Sequence, residues 1–268
     1  MAEESCPRKQ GPVTMQLQLL RNATLKLRYA GRTILVDPDF GPRHSRHSFT
    51  GRSPNPMVDL PEPIEAILAG VDTVIISHLH ADHFDEVGKQ RVPEHLPLFC
   101  QPGDEQTIAE AGFLSVTPVD CFVRLGSAIL KRHPAQHGTG AVVGKMGPVM
   151  GFSLEAPGEP TLYWCGDSVL YPPLLEALAA TDPDVIVSHS CGALWDDTLI
   201  VMDADQTLDL CEAAPRATVI ATHMEALDHA SVSRAALRQA AIARQIGSGR
   251  LLIPDDGETI EIRATVPA

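Results

Sequence analysis

The sequence predicts an α/β fold in which two β-sheets pack face to face with helices on their outer faces. Three observations predict it. The chain opens with short segments of alternating apolar and polar residues, the pattern of a strand meander. Apolar strand-like runs then alternate with helical segments, the pattern of mixed sheets covered by helices. The 268 residues, 44% of them hydrophobic, suffice for one sizeable core, and nothing marks a domain boundary.

Residues 15–20 and 23–30 alternate as strands, and Tyr29-Ala30-Gly31-Arg32 turns the chain into a third strand at 33–36. Asp37-Pro38-Asp39 stops it. Residues 40–63 are a long irregular stretch rich in Pro, Gly, Ser, Arg and His, a length that usually marks a functional or disordered loop. Residues 64–69 read as a short helix, and the β-branched run 74–77 reads as a buried strand ending directly on His78. Further strands are expected at 96–100, 115–119, 122–133, 149–156, 161–165, 185–188, 218–222 and 251–262. Helices are expected at 104–111, 173–180, 205–213 and 231–246, with Pro172 and Pro173 suiting a helix start. Residues 1–14 are polar and read as a flexible tail, which leaves 15–268 as a single domain.

Acidic residues outnumber basic ones 34 to 21, for a net charge of -13. A nucleic-acid binder presents a basic face, so no such partner is expected. No apolar run approaches the roughly 18 residues that span a bilayer, and the polar start lacks the apolar core of a secretory signal. Six scattered cysteines without a CxxC pair read as reduced thiols of a cytoplasmic protein.

The strongest motif is His78-Leu79-His80-Ala81-Asp82-His83. Residues two apart on an extended chain point the same way, so His78 and His80 can converge on one ion. If the chain then turns, Asp82 and His83 face a point beside it. Imidazole and carboxylate are ligands that zinc and similar metals prefer.

This HxHxDH motif at the end of a buried strand resembles the signature of the metallo-β-lactamase superfamily. Three later elements fit the same pattern: His137 in Gln136-His137-Gly138-Thr139-Gly140, Asp167 after Gly166, and His223 ending an apolar strand. The resemblance implies an αββα sandwich of two mixed β-sheets. It implies one Zn2+ or two, with Mn2+ or Fe2+ as open alternatives. The first ion would take His78, His80 and His137; the second would take Asp82, His83 and His223, with Asp167 bridging. Asp37 fits the structural aspartate that braces the metal loop. His223 ranks before its neighbour His229, which reads as a substrate contact or as a group behind the ligands. His189 reads as a core histidine or as a residue near the site.

The implied activity is that of a metal-dependent hydrolase in which a metal-bound hydroxide opens a small lactone or ester. Asp82 and Asp167 are the catalytic carboxylates, and Asp82 can serve as proton acceptor or donor. Gln136–Gly140 and His223–His229 resemble the ascorbate-phosphate-lactonase branch. A phosphodiesterase of the same fold, acting on a lipid or nucleotide, is the alternative, followed by a redox member such as a persulfide dioxygenase. Arg43, His44, Arg46 and His47 belong to the densest basic cluster of an acidic chain. They are expected to contact an anionic or strongly polar small-molecule substrate through paired hydrogen bonds. Homo-oligomerisation is left open.

Overall fold

The computed structural model describes residues 14–263. The expected tail therefore lies outside the described residues except for Thr14, which begins the first strand.

The first half supplies six of the seven strands of one sheet. Its strands are β1 (Thr14–Arg21), β2 (Thr24–Tyr29), β3 (Arg32–Val36), β4 (Thr73–Ile76), β5 (Leu98–Cys100) and β6 (Val116–Pro118). Helices α1 (Ile64–Leu68), α2 (Glu86–Arg91) and α3 (Glu105–Glu110) cover it. The second half supplies β7 (Phe122–Leu125), β8 (Ala128–Pro134), α4 (Val142–Met146), β9 (Met150–Glu155) and β10 (Leu162–Trp164). It continues with α5 (Pro172–Thr181), β11 (Val185–His189), the hairpin β12 (Leu194–Trp195) and β13 (Thr198–Leu199), and α6 (Ala204–Ala213). It ends with β14 (Thr218–Thr222), α7 (Arg234–Ala243), β15 (Leu251–Leu252) and β16 (Thr259–Arg263).

The sheet orders are β16-β1-β2-β3-β4-β5-β6 and β15-β14-β11-β10-β9-β8-β7. Each is mixed: β1–β3 pair antiparallel and β3–β6 parallel, while β7–β10 pair antiparallel and β10, β11, β14 and β15 parallel. Residue alternation explains the layers. In β4, Ile75 joins the core between the sheets, while Val74 and Ile76 pack under the first-half helices. In β10, Leu162 and Trp164 face inward and Tyr163 packs with Leu174 and Leu178 of α5. A strand buried on both faces reads as a continuous apolar run, which is why these were legible. The fold is an αββα sandwich of the α/β class.

Three expected elements differ. Residues 122–133 form a hairpin, because Gly126 takes a positive φ and reverses the chain. Residues 251–262 divide between the two sheets on either side of Pro254 and Gly257. The last helix starts later than expected, where the Ser233 side chain accepts from Ala236 N. Among the described residues, no helix is long and apolar enough to cross a membrane.

Candidate metal centre

Histidines and carboxylates collect beyond the C-terminal ends of the central parallel strands, where open α/β sheets place their crevices. β4 leads into Ser77 and His78. The motif then tightens into a turn in which His83 N and Phe84 N both donate to His80 O, at 2.9 and 3.0 Å. His137 follows β8, Asp167 follows β10, His189 ends β11 and His223 follows β14.

Local sequence shapes two of these approaches. Gly166 has φ +67°, and a Cβ there would lie 2.8 Å from Met150 O, so only glycine fits before Asp167. His223 takes φ +64°, unusual for a residue with a side chain. Its amide donates to Asn22 O at 2.9 Å, and the Asn22 amide donates to Asp82 O at 2.9 Å. The β1–β2 turn thus ties the motif to the last histidine.

His78, His80, His137 and Asp167 each offer one donor atom within 4.8 Å of the others, and so do His83, Asp167, His189 and His223. Asp167 is common to both groups. Its Oδ2 lies 3.3 Å from the Nε2 atoms of His83 and His137 and 3.9 Å from that of His78. Asp82 Oδ2 stands against the second group, 3.2 Å from His223 Nε2 and 3.7 Å from His83 Nε2.

The rings are held from behind. Asp37 Oδ2 lies 2.7 Å from His83 Nδ1, Ile200 O 2.8 Å from His137 Nδ1, Ser77 Oγ 3.1 Å from His78 Nδ1 and Cys191 Sγ 3.4 Å from His223 Nδ1. Partners on Nδ1 leave Nε2 of each ring to face the cluster, the outer arrangement typical of metal-binding histidines.

These residues fit divalent cations. His78 Nε2 is buried without a hydrogen-bond partner, a state that costs roughly 1–3 kcal/mol unless something binds it. Donor separations of 3.2 to 3.7 Å in the second group suit a shared ion about 2.0–2.2 Å from each donor. Nitrogen and carboxylate donors suit zinc, manganese or iron.

Electrostatics agree. Burial pushes His78 well below the ordinary histidine value, and the adjacent histidines add to the effect. Burial also lowers His80. Burial opposes charge on His83 too, but Asp167, Asp82 and Asp37 together outweigh it and lift the ring to about 10. His223 is raised well above its ordinary value, against burial, by Asp167, Cys191 and Asp82. Burial would raise Asp82 and Asp167, yet the neighbouring histidines, His83 foremost, hold both well below the carboxylate range. The carboxylates thus draw positive charge into the cluster, and a bound cation would supply it in place of protons on His83 and His223.

A cleft of about 270 Å³ opens over the first group. His80, Asp82, His137 and Asp167 form its polar side. Phe49, Ala81, Met146, Trp195, Ile200, His229 and Lys145 form the rest. Lys145 is exposed and paired with Asp196 at 3.1 Å. His229 presents a buried Nδ1 without a partner, and its ring meets Phe49 edge-on with centroids 4.9 Å apart.

The seven ligands expected from sequence thus converge, His189 stands among the donors of the second group and His229 lies on the cleft wall. The expected substrate contacts of the basic loop do not join them. Arg43, His44 and His47 are exposed and do not line the cleft. Arg46 turns inward and binds Asp39 at 2.5 and 3.0 Å, with Asp85 at 3.5 Å. The reason is that the fully buried Asp39 needs counter-charge, which Arg21 and Arg46 supply. Sequence reasoning missed the cleft walls and Asn22. One wall had a signal: Asp196 and Asp197 both take positive φ between two short strands, the tight-hairpin pattern that carries Trp195. Phe49, Met146 and Ile200 had none.

Residues 32–224 match the family model described as the Beta-lactamase superfamily domain. The UPF0173 protein YddR of Bacillus subtilis (strain 168) is 33% identical over 253 residues, 91% of this chain and 99% of YddR. A structure from Veillonella parvula DSM 2008, titled "a possible metal-dependent hydrolase", superposes with a TM-score of 0.88 at 32% identity, covering 92% of this chain and 99% of that one. An isothiocyanate hydrolase from Delia radicum gut bacteria superposes with a TM-score of 0.87 at 33% identity, covering 94% and 100%. A match over most of the chain, with a relative this similar along nearly its whole length, makes this chain a member of the metallo-β-lactamase superfamily.

Proposed function

We propose that this chain is a metal-dependent hydrolase that adds water to an electrophilic carbon of a small, uncharged and largely apolar substrate. The isothiocyanate group is the first candidate. The observation that carries this reading is the cleft itself: a His/Asp metal centre on one side and Phe49, Met146, Trp195 and Ile200 on the other. Such a wall stabilises apolar groups by burying their surface, about 25 cal/mol per Å². Among the described residues that line the cleft, the one cationic side chain, Lys145, is paired with Asp196, so no free side-chain charge stands opposite the metal ligands to hold an anionic group. The similarity to the isothiocyanate hydrolase at 33% identity supports the same choice.

His78, His80 and His137 would hold one ion, Asp82, His83 and His223 a second, with Asp167 shared. When bound, the metal supplies a Lewis acid and lowers the pKa of water. Asp82 lines the cleft and is placed to accept a hydrogen bond from the attacking water. Addition of water to R–N=C=S gives a thiocarbamate that separates into R–NH2 and carbonyl sulfide. Phe49 and His229 exclude bulk water and orient R.

A lactone or ester remains the second reading, because its carbonyl carbon makes the same demands on the site. The deciding experiment supplies purified, metal-analysed protein with benzyl isothiocyanate, an aryl ester, a small lactone and bis(p-nitrophenyl) phosphate. The expected order of kcat/KM puts the isothiocyanate first and the phosphodiester last. A phosphodiester turned over fastest would overturn the reading.

A further inference from the structure

His189 ends β11, between the strands that deliver Asp167 and His223. It is fully buried, but it is not a satisfied core histidine. Nδ1 lies 2.6 Å from Asp167 Oδ1, while Nε2 has no hydrogen-bond partner. The Trp164 ring meets it edge-on with centroids 4.9 Å apart, and the His223 ring lies 4.8 Å away. Packing on both sides fixes the imidazole plane.

Asp167 is the one side chain common to both donor groups. Its carboxylate could rotate about the Cα–Cβ and Cβ–Cγ bonds, and each rotation would favour one group over the other. Oδ2 faces His78, His83 and His137. Oδ1 is 3.6 Å from His223 Nε2 and 2.6 Å from His189. An ionised carboxylate only accepts hydrogen bonds, so at 2.6 Å the proton belongs to His189 Nδ1.

We propose that His189 is a positioning residue of the metal centre: its Nδ1–H donates to Asp167 Oδ1 and locks the carboxylate in the one orientation that serves both metal groups. The proposal rests on the reading of Asp167 as a shared ligand. It accounts for a polar ring kept in a core position where an apolar residue would leave no unpaired Nε2. A hydrogen-bonding group behind a metal ligand is typically worth 10–100-fold in metal affinity.

The test compares His189→Asn, His189→Gln and His189→Leu. The asparagine amide nitrogen stands near the position of Nδ1; the glutamine nitrogen stands near that of Nε2. Zinc affinity of each full-length protein is measured by competition with a chromophoric chelator, and the melting temperature of the metal-free form is measured alongside. The expected result is zinc binding weakened roughly 10–100-fold in the leucine and glutamine variants and nearly retained with asparagine. The leucine variant removes the unpaired Nε2 but also the donor to Asp167 Oδ1, so its metal-free melting temperature serves as the control that separates a loss of fold from a loss of metal affinity. If the leucine variant does not fold, the asparagine–glutamine pair decides alone. Wild-type affinity in the glutamine variant, or equal weakening with asparagine, overturns the proposal. A wild-type protein that binds no metal would instead remove the reading of the site on which it rests.

Discussion

Asp37 Oδ2 lies 2.7 Å from Nδ1 of His83, and the other oxygen of the same carboxylate accepts the Ser77 amide at 2.7 Å. One buried side chain thus orients a ring of the second donor group and pins the residue before His78. Asp37 adopts φ +47° to reach both, a backbone state that persists only when its surroundings enforce it. Asp37→Asn keeps the size and removes the charge. It should weaken metal binding by about 10–100-fold while leaving the sheets folded. Metal analysis after dialysis against a zinc buffer, with circular dichroism as the fold control, checks this. Undiminished metal content would reduce Asp37 to a loop anchor.

The two late histidines should separate cleanly. His223 faces Asp82 and His83 within the cluster, whereas His229 lies on the cleft wall with a free Nδ1. His223→Ala should lose about one metal equivalent of two, because it removes one of the second ion's nitrogen donors. His229→Ala should keep the metal and raise KM for the substrate. Stoichiometry by elemental analysis and steady-state kinetics read the two effects. Metal loss in His229→Ala with full content in His223→Ala would reverse the assignment.

Asp228 controls the wall on which Phe49 sits. Its carboxylate accepts from Ser48 Oγ, the amides of Phe49 and Thr50, Thr50 Oγ1 and Asn55 Nδ2, at 2.5 to 3.0 Å. Burial would raise its pKa, but these bonds hold it well below the carboxylate range. Asp228→Ala frees the loop and unseats Phe49 from His229. KM for an apolar substrate should rise several-fold, with kcat changed less and metal content intact, since uniform binding is what the wall provides. Phe49→Ala should reproduce the KM effect alone. Wild-type KM values in both variants would show that the loop does not contact substrate.

His133 gives a pH signature away from the metals. It is buried against Tyr163 with Nε2 2.9 Å from Ser153 Oγ, and burial, aided by Lys131, lowers it from 6.5 to about 4. The folded state therefore resists protonation that the unfolded chain accepts. Its contribution is complete above pH 6.5 and is lost as the pH falls toward about 4. His133→Gln should flatten part of the stability loss between about pH 7 and about pH 5. Urea midpoints at both values, in chelator so that the metal centre contributes alike, measure it. Parallel pH profiles for wild type and variant would contradict the assigned cause.

Much of the site was legible because its signals are local. Strand periodicity ran directly into His78, and glycine before Asp167 is the backbone requirement of one sharp turn. The double apolar runs announced strands covered on both faces, and the HxHxDH spacing carried its own geometry. What resisted reading were partnerships between distant segments. Nothing near Arg46 says that it will neutralise Asp39 rather than meet a substrate, and nothing near Asp228 says that it will clasp residues 48–55.

The sequence by itself determined the layered α/β architecture, the metal-ligand chemistry and the strand ends that deliver it, because propensity, periodicity and motif spacing act over a few residues. Only the tertiary structure decided that His189 backs Asp167, that Arg46 of the basic loop turns inward to Asp39 and that the cleft is walled by apolar side chains. Those outcomes depend on burial. A charge or ring nitrogen removed from water must take whichever partner the packed fold places beside it, and that partner comes from elsewhere in the chain.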